Sequence, residues 1–326
     1  MKDIKHSILT AIQADLDVIE VTLSDHLNPY LDQVSETAEH ILFSGGKRLR
    51  PLLLVLSARI CDYDGNYDKI FSTIFEYLHA ATLLHDDLVD GAELRRGQPV
   101  AHSKWGNPMA VLVGDFLFAR ALSIAVETQQ LKIIKIIASI TEDMSQGEIH
   151  QLLVKGKIDL SQEEYLDVIR RKTAVLIQGA CQSGALIAEA SEIKEKALSS
   201  YGFNMGMAFQ IIDDLLDYTA DTRILGKTVG ADLREGKLTL PVIYALEKAN
   251  PQDKTWMEGI ITDKDFSVKD FEHLIGLLKK YGGLKYAEKK ALEYIDKSKK
   301  ALSVFEPSQT LEVLLNMADY TLNRNL

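Results

Sequence analysis

Apolar residues along this chain recur every three or four positions. Ile4, Ile8, Ile12, Leu16, Ile19 and Leu23 share one face of a helix, and Leu284, Ala287, Ala291, Ile295, Leu302 and Phe305 repeat the pattern near the other end. The second set lies among lysines and glutamates, which predicts an outer helix with a solvated face. No proline occurs between Pro108 and Pro241, as suits uninterrupted helix interiors. Alternating β-branched runs bounded by turn residues are nearly absent, so strands are not expected. Breaks are predicted at Ser44-Gly45-Gly46, Asp62 to Asn66, Gly91 to Gly106, Gly156 to Ser161, Asp221 to Gly236 and Gly282-Gly283. None is a long Ser/Pro-rich linker. The pattern predicts one all-α domain over residues 1–326, although a length prior of about 150 residues per domain also allows two.

Composition narrows the function classes. At 46% hydrophobic residues the chain can bury a core. Its 37 basic and 47 acidic residues leave a net charge of −10, so a chain-wide grip on nucleic acid is not expected, and an anionic ligand needs a local device. Met1 to Thr10 carries Asp3, Lys5 and His6 and does not read as a targeting segment. The longest apolar runs, such as Leu52 to Leu56, fall short of the roughly 18 residues a membrane span needs. Cys61 and Cys181 form no zinc or disulfide framework and suit a reducing compartment. A soluble, cytoplasmic protein is expected.

Two segments stand out: Leu84-His85-Asp86-Asp87-Leu88-Val89-Asp90 and Ile211-Ile212-Asp213-Asp214-Leu215-Leu216-Asp217. Each follows a helix-like stretch. At about 100° per residue, the first and third aspartates of each triplet lie about 40° apart, so three carboxylates share a face beside leucines. Like charges so placed repel, and partial burial worsens the conflict. A hard, oxygen-liking cation removes it, and magnesium typically takes one or two carboxylates and completes its shell with water and substrate phosphate. The alternating ligands and central glycine of a calcium loop are missing.

Basic residues accompany the clusters: Gly45-Gly46-Lys47-Arg48-Leu49-Arg50-Pro51 before the first, Arg95-Arg96-Gly97 after it, and Gly226-Lys227-Thr228 and Gly236-Lys237 after the second. Neither of the Gly-Lys elements at Lys47 and Lys227 is a nucleotide-binding P-loop, because Ile41 and Asp221 stand where the leading glycine is required. Arginine forks, lysine point charges and carboxylate-held metal together suggest diphosphate chemistry.

From Ser44 to Tyr244 the chain resembles the trans-type polyprenyl diphosphate synthases. The motifs that carry the resemblance are Gly45 to Pro51, His79, the two aspartate clusters, Arg95-Arg96-Gly97, Lys172-Thr173, Phe209-Gln210, Lys227 and Lys237. It implies an all-helical fold with a central cavity and the two clusters facing each other across its mouth. Asp86, Asp87, Asp90, Asp213, Asp214 and Asp217 would hold two or three magnesium ions and, through them, an allylic diphosphate. Arg95, Lys172, Lys227 and Lys237 would hold that diphosphate, while Gly46, Lys47, Arg50, His79 and Arg96 would hold isopentenyl diphosphate without metal. Thr173 and Gln210 would offer oxygen dipoles to the carbocation.

The family's product length is set by residues just before the first cluster. Here Ala81 and Thr82 are small where a bulky aromatic would stop growth, which suggests an open tunnel and a long, octaprenyl-like product feeding a quinone side chain. Phe75 and Leu78 lie one to two turns deeper, with Phe118 or Leu122 expected to face them. A shorter-chain, geranylgeranyl-type synthase and the catalytic half of a two-component hexa- or heptaprenyl synthase remain alternatives. Metal-dependent terpene cyclases and squalene-type synthases are disfavoured by the Gly45–Pro51 and Arg95-Arg96 elements. The resemblance further implies a homodimer, no nucleic-acid partner, and transient membrane contact through the apolar product.

Overall fold

The computed structural model describes residues 2–219, 230–263 and 265–322, with side chains from residue 8 onward. The chain forms α1 (Lys2–Asp25), α2 (Asp32–Leu42), α3 (Leu49–Arg59) and α4 (Tyr67–Val89), then a two-stranded hairpin, β1 (Leu94–Arg95) and β2 (Gln98–Pro99). There follow α5 (Ala101–Trp105), α6 (Asn107–Glu127), α7 (Leu131–Val154), α8 (Gln162–Ile169), a π-helical turn (Arg170–Ala174), α9 (Val175–Ile187) and α10 (Glu192–Thr219). The last part holds α11 (Ala231–Arg234), α12 (Leu240–Lys248), α13 (Pro251–Thr262), α14 (Val268–Lys280), α15 (Gly283–Ala301) and, beyond a 3-10 turn, α16 (Gln309–Leu322). The fold is all-α, as the periodicity predicts. Pro108, Pro241 and Pro251 sit in the first turns of α6, α12 and α13, where no backbone N–H is lost from the ladder. The stretch Gly91 to Gly106, expected as a plain break, holds the hairpin and α5.

Ile8, Ile12, Ile19 and Leu23 bury one face of α1, and Leu284, Ala287, Ala291 and Ile295 bury the inner face of α15. The middle of α3, Leu52 to Leu56, is apolar on every side and fully covered, the expected state of a helical segment enclosed by others. Two apolar cores result. One gathers α1 to α4, α6, α7, α9 and α16; the other gathers α8 and α12 to α15. Helix α10 joins them, with Met205 and Ala208 in the first and Met207 and Ile211 in the second.

Two features depart from expectation. Helix α6 is long and apolar enough to cross a bilayer by length and composition, with mean hydropathy 1.9 over its most apolar window, of which only 39% is buried. Counting uninterrupted runs missed it because Asp115 and Arg120 divide the stretch. The second departure is the π turn in the α8–α9 rod. Gly147 of α7 allows it: a Cβ there would stand 2.8 Å from Arg171 Cβ and 3.1 Å from the Lys172 nitrogen. Arg171 holds the turn from outside, donating to Asp167 at 2.9 Å and Asp143 at 2.5 Å. Such turns shift helix register locally, and this one contains Lys172 and Thr173.

Candidate active site

Asp86 and Asp87 occupy the last turn of α4, and Asp90 is its C-cap. The negative end of the helix dipole lies there, so three carboxylates need cations close by. Arg95 supplies one to Asp87, which is only 4% exposed: its Nε lies 2.9 Å from both carboxylate oxygens and its Nη2 2.7 Å from Oδ1. Lys172 Nζ lies 3.7 Å from Asp86 and 2.8 Å from Glu148 of α7. Asp90 accepts from Lys237 at 2.9 Å and Lys155 at 3.4 Å. Burial raises the Asp86 carboxyl to about 6 against the pull of Lys172, with Glu148 and Asp90 adding to the rise. Burial also acts on Asp90, but the Lys237 hydrogen bond and the surrounding ammonium groups hold it below the ordinary carboxylate value.

The second triplet ends α10. Asp213 is exposed, while Asp214 is buried and accepts from the Tyr165 hydroxyl at 2.6 Å and Gln210 Nε2 at 2.7 Å. Burial pushes Asp214 up to about 7 despite those bonds, with Asp213 and Asp217 adding repulsion. Thr173 donates to Gln210 Oε1 at 2.8 Å, so Thr173, Gln210, Asp214 and Tyr165 form one chain of hydrogen bonds. Asp217 accepts from the backbone N–H groups of Ala231 and Asp232, both at 3.2 Å, and so caps α11.

Asp86 and Asp213 line a single cavity of about 620 Å³, together with Lys172, Thr173 and Gln210. Gly46, Lys47, Arg50, His79 and Arg96 line the same cavity. Arg50 Nε is buried without a hydrogen-bond partner, and burial lowers this guanidinium's pKa. Burial, with Arg50 and then Arg95, Arg96 and Arg48 nearby, holds the His79 imidazole well below its usual range, so the ring is neutral. The Arg96 guanidinium rests on Gly46, where a Cβ would lie 3.4 Å from Nη1.

The structure thus brings the predicted residues Asp86, Asp90, Lys172, Thr173, Gln210, Asp213, Arg50, His79, Arg96 and Lys237 around one space or its immediate edge. Lys227, with Gly226 and Thr228, lies outside the described residues. The six aspartates are not equivalent, because Asp87 is committed to Arg95 and Asp214 to Tyr165 and Gln210. Of the length-setting positions, Thr82 lines the cavity, whereas Ala81, Leu78 and Phe75 have no exposed surface. The facing residues differ from expectation. The Phe118 ring lies 5.9 Å from His85, beside the first cluster, and Leu122 is exposed on the outer side of α6.

Sequence reasoning missed four neighbours. Arg48 turns away from the cavity, with φ +45°, to bridge Glu20 at 2.6 Å and Glu76 at 2.8 Å. Those ion pairs fix the N-cap of α3, between Lys47 in the loop and Arg50 in the first turn, both of which line the cavity. The place of Arg48 inside the Gly45–Pro51 motif was the available signal. Glu148, Lys155 and Tyr165 carry no local signal, since their partners lie 24 to 65 residues away.

The polyprenyl synthetase family model matches residues 31–278 of this chain. An octaprenyl diphosphate synthase of Haemophilus influenzae is 35% identical over 311 residues, covering 95% of this chain and 94% of that protein. Heptaprenyl diphosphate synthase component 2 of Bacillus subtilis is 36% identical over 306 residues, covering 94% and 87%. The crystal structure of a polyprenyl synthase from Caulobacter crescentus, complexed with calcium and isoprenyl diphosphate, superposes with a TM-score of 0.92 at 38% identity over 98% of each chain.

Proposed function

Since the chain belongs to the polyprenyl synthetase family and is a trans-polyprenyl diphosphate synthase, a prenyltransferase, we propose that it condenses isopentenyl diphosphate head-to-tail with an allylic diphosphate, farnesyl or geranylgeranyl, to a long all-trans polyprenyl diphosphate for a quinone side chain. The observation that carries this reading is the one cavity with Asp86, Asp213 and Lys172 on one side and Arg50, Arg96 and neutral His79 on the other.

Magnesium, two or three ions, fits the acidic side. The donors there are hard carboxylate oxygens at two helix C-termini, and Asp86, Asp90, Asp213 and Glu148 stand close to one another there. The calcium in the C. crescentus structure supports divalent metal use. Asp86, Asp90, Asp213 and Asp217 would hold the metal, while Asp87 and Asp214 act through Arg95 and through Tyr165 and Gln210. Bound magnesium would make the diphosphate a better leaving group by Lewis-acid withdrawal.

The protein's own groups complete the chemistry. Lys172, Lys237, Arg95 and Lys227 hold the allylic diphosphate as its C–O bond breaks and the electron pair leaves with oxygen. Thr173 donates its proton to Gln210, so its hydroxyl lone pairs remain for the allylic cation. Arg50, His79, Arg96, Lys47 and Gly46 hold isopentenyl diphosphate so that its double bond attacks that cation. The departing diphosphate then takes the proton lost from the new chain. Leu49, Leu83 and Phe209, the apolar side chains of the lining, would help to keep water from the cation.

The purified chain, given labelled isopentenyl diphosphate, farnesyl diphosphate and magnesium, is expected to form products longer than twenty carbons. Absence of condensation by the single chain, with and without a candidate second subunit, overturns the reading.

The exposed apolar face of α6 and α7, with Leu112 at 64%, Val126 at 60%, Leu131 at 75% and Leu153 at 69%, supports a partner helix pair. We assign it to a second copy of the chain. The resemblance to component 2 of a two-part synthase keeps a different subunit as the second reading. Leu112→Arg is expected to convert the dimer to monomer in sedimentation equilibrium; a wild-type monomer would refute the homodimer. The enzyme is cytoplasmic on this reading and touches the membrane only through its apolar product.

A further inference from the structure

Lys155 has no role in any motif of the sequence, yet the fold carries it into the site. Helix α7 ends at Val154, and Lys155 leaves it with ψ 123°. Gly156 then reverses the chain at φ +78°, and its N–H donates to the Gly236 carbonyl at 2.8 Å. Gly236 is itself left-handed, and a Cβ on it would stand 3.2 Å from Lys155 Cγ and 3.3 Å from the Gly156 nitrogen. Two glycine turns 80 residues apart in sequence are thus pressed together. Their contact delivers Lys155 and Lys237 to opposite oxygens of Asp90, at 3.4 Å and 2.9 Å.

Those two lysines and Lys172 line a small chamber of about 130 Å³, which shares Lys172, Thr173 and Gln210 with the main cavity. The volume corresponds to on the order of ten water-sized positions, enough for a diphosphate group. A lysine at a helix C-terminus is stabilised by the helix dipole wherever its head lies in solvent. Here the side chain is 29% exposed and turns inward beside two other ammonium groups, an arrangement that costs repulsion unless an anion lies between them. The surrounding acids serve the other two lysines first: Lys172 has Glu148 at 2.8 Å and Asp86 at 3.7 Å, and Lys237 has Glu235 at 2.6 Å and Asp90 at 2.9 Å. Lys155 has a share of Asp90 at 3.4 Å, the acid that Lys237 also holds, and of the acids lining the chamber Asp214 is already bonded to Tyr165 and Gln210.

We propose that Lys155 is a further lysine of the allylic diphosphate site, binding the same diphosphate as Lys172 and Lys237 while the prenyl chain leaves the chamber past Thr173 and Gln210. The assignment rests on the prenyltransferase reading and adds a residue to it.

The test compares Lys155→Met and Lys155→Arg with the wild-type chain in magnesium, varying farnesyl diphosphate and isopentenyl diphosphate separately. Lys155→Met is expected to raise KM for the allylic substrate about tenfold, as loss of one charge-assisted contact does, with KM for isopentenyl diphosphate unchanged and Lys155→Arg restoring most of the loss. Calorimetric titration with inorganic diphosphate and magnesium should weaken in parallel. An unchanged allylic KM and diphosphate affinity in an active Lys155→Met overturns the proposal and leaves the function standing. Equal rises in both KM values with a lower Tm also overturn it, since a helix cap alone explains them. If the wild-type chain binds diphosphate but condenses nothing, the prenyltransferase reading fails, and the titration still decides the role of Lys155.

Discussion

Replacing Phe75 by alanine separates a tunnel floor from an ordinary core residue. Thr82 lines the cavity, and Phe75 lies seven residues back along α4, which at 1.5 Å per residue places it about 10 Å deeper. One isoprene unit spans about 5 Å, close to one helical turn, so a growing chain that passes Thr82 meets Phe75 after roughly two more units. The ring is fully buried and packs at Gly179 of α9, where a Cβ would lie 3.3 Å from Phe75 Cε1 and 3.3 Å from Ile136 Cγ2 of α7. Truncation removes those contacts and opens a void, which in the free enzyme costs about 3–5 kcal/mol. If Phe75 is the floor, the void lies on the product's path, and the dephosphorylated products sized by reversed-phase chromatography shift upward by one to two units. Ala81→Phe should act in the opposite sense and shift the products downward, because its ring would stand between Thr82 and the deeper positions. A Phe75→Ala enzyme that loses the full stability increment in urea unfolding yet makes the wild-type product distribution refutes the reasoning and leaves Phe75 as core.

Two further outcomes follow from the acidic clusters. Asp86→Asn and Asp213→Asn should each lower turnover by about two to three orders of magnitude with an unchanged far-UV spectrum, whereas Asp87→Asn should chiefly release Arg95 and raise the allylic KM; three equal effects would contradict the division of roles. Asp86 and Asp214 are raised from 3.8 to about 6 and about 7, so their folded forms resist ionisation. Their contribution to metal-free stability is present below pH 3.8 and is lost as pH rises through 6 to 7. Urea midpoints for the metal-free protein, with the upper part of the slope removed in Asp214→Asn, check the sign.

Much of this was legible without coordinates because it rests on local spacing. The period of three and four in α1 and α15 needs only neighbouring residues, and so does the placement of three aspartates on a helix face. The ordered motifs then name the partners of each cluster. What the sequence hides is pairing across distance. Nothing near Tyr165 announces that its hydroxyl serves Asp214, and nothing near Glu148 announces Lys172. The π turn is equally hidden, because the rod from Gln162 to Ile187 is helical in pattern throughout, and the glycine that permits the shift, Gly147, lies on another helix. Helix α6 misled in a different way. An apolar helix with so little amphipathic contrast does not say which of its sides is inside, and only packing shows that Leu112, Leu122 and Val126 are left outside.

The division of charge within the cavity bears on which of two similar diphosphates departs. Both substrates carry the same leaving group, and only the allylic one should ionise. On the isopentenyl side the proposed ligands are fixed guanidinium and ammonium groups around a histidine that burial keeps neutral. They neutralise a bound diphosphate as a ground-state partner, and the carbon attached to it, not being allylic, gains no stabilised cation. On the proposed allylic side the carboxylates of α4 and α10 would attract divalent charge to a diphosphate whose carbon can spread the positive charge, beside the oxygen dipole that Thr173 would offer. Catalysis rewards interactions that strengthen as charge separates, and that strengthening is available only on the acidic side. The chain's net charge of −10 is consistent with this division. A uniformly basic pocket would bind both diphosphates and distinguish neither, whereas acids that recruit metal to one half give the two substrates different fates.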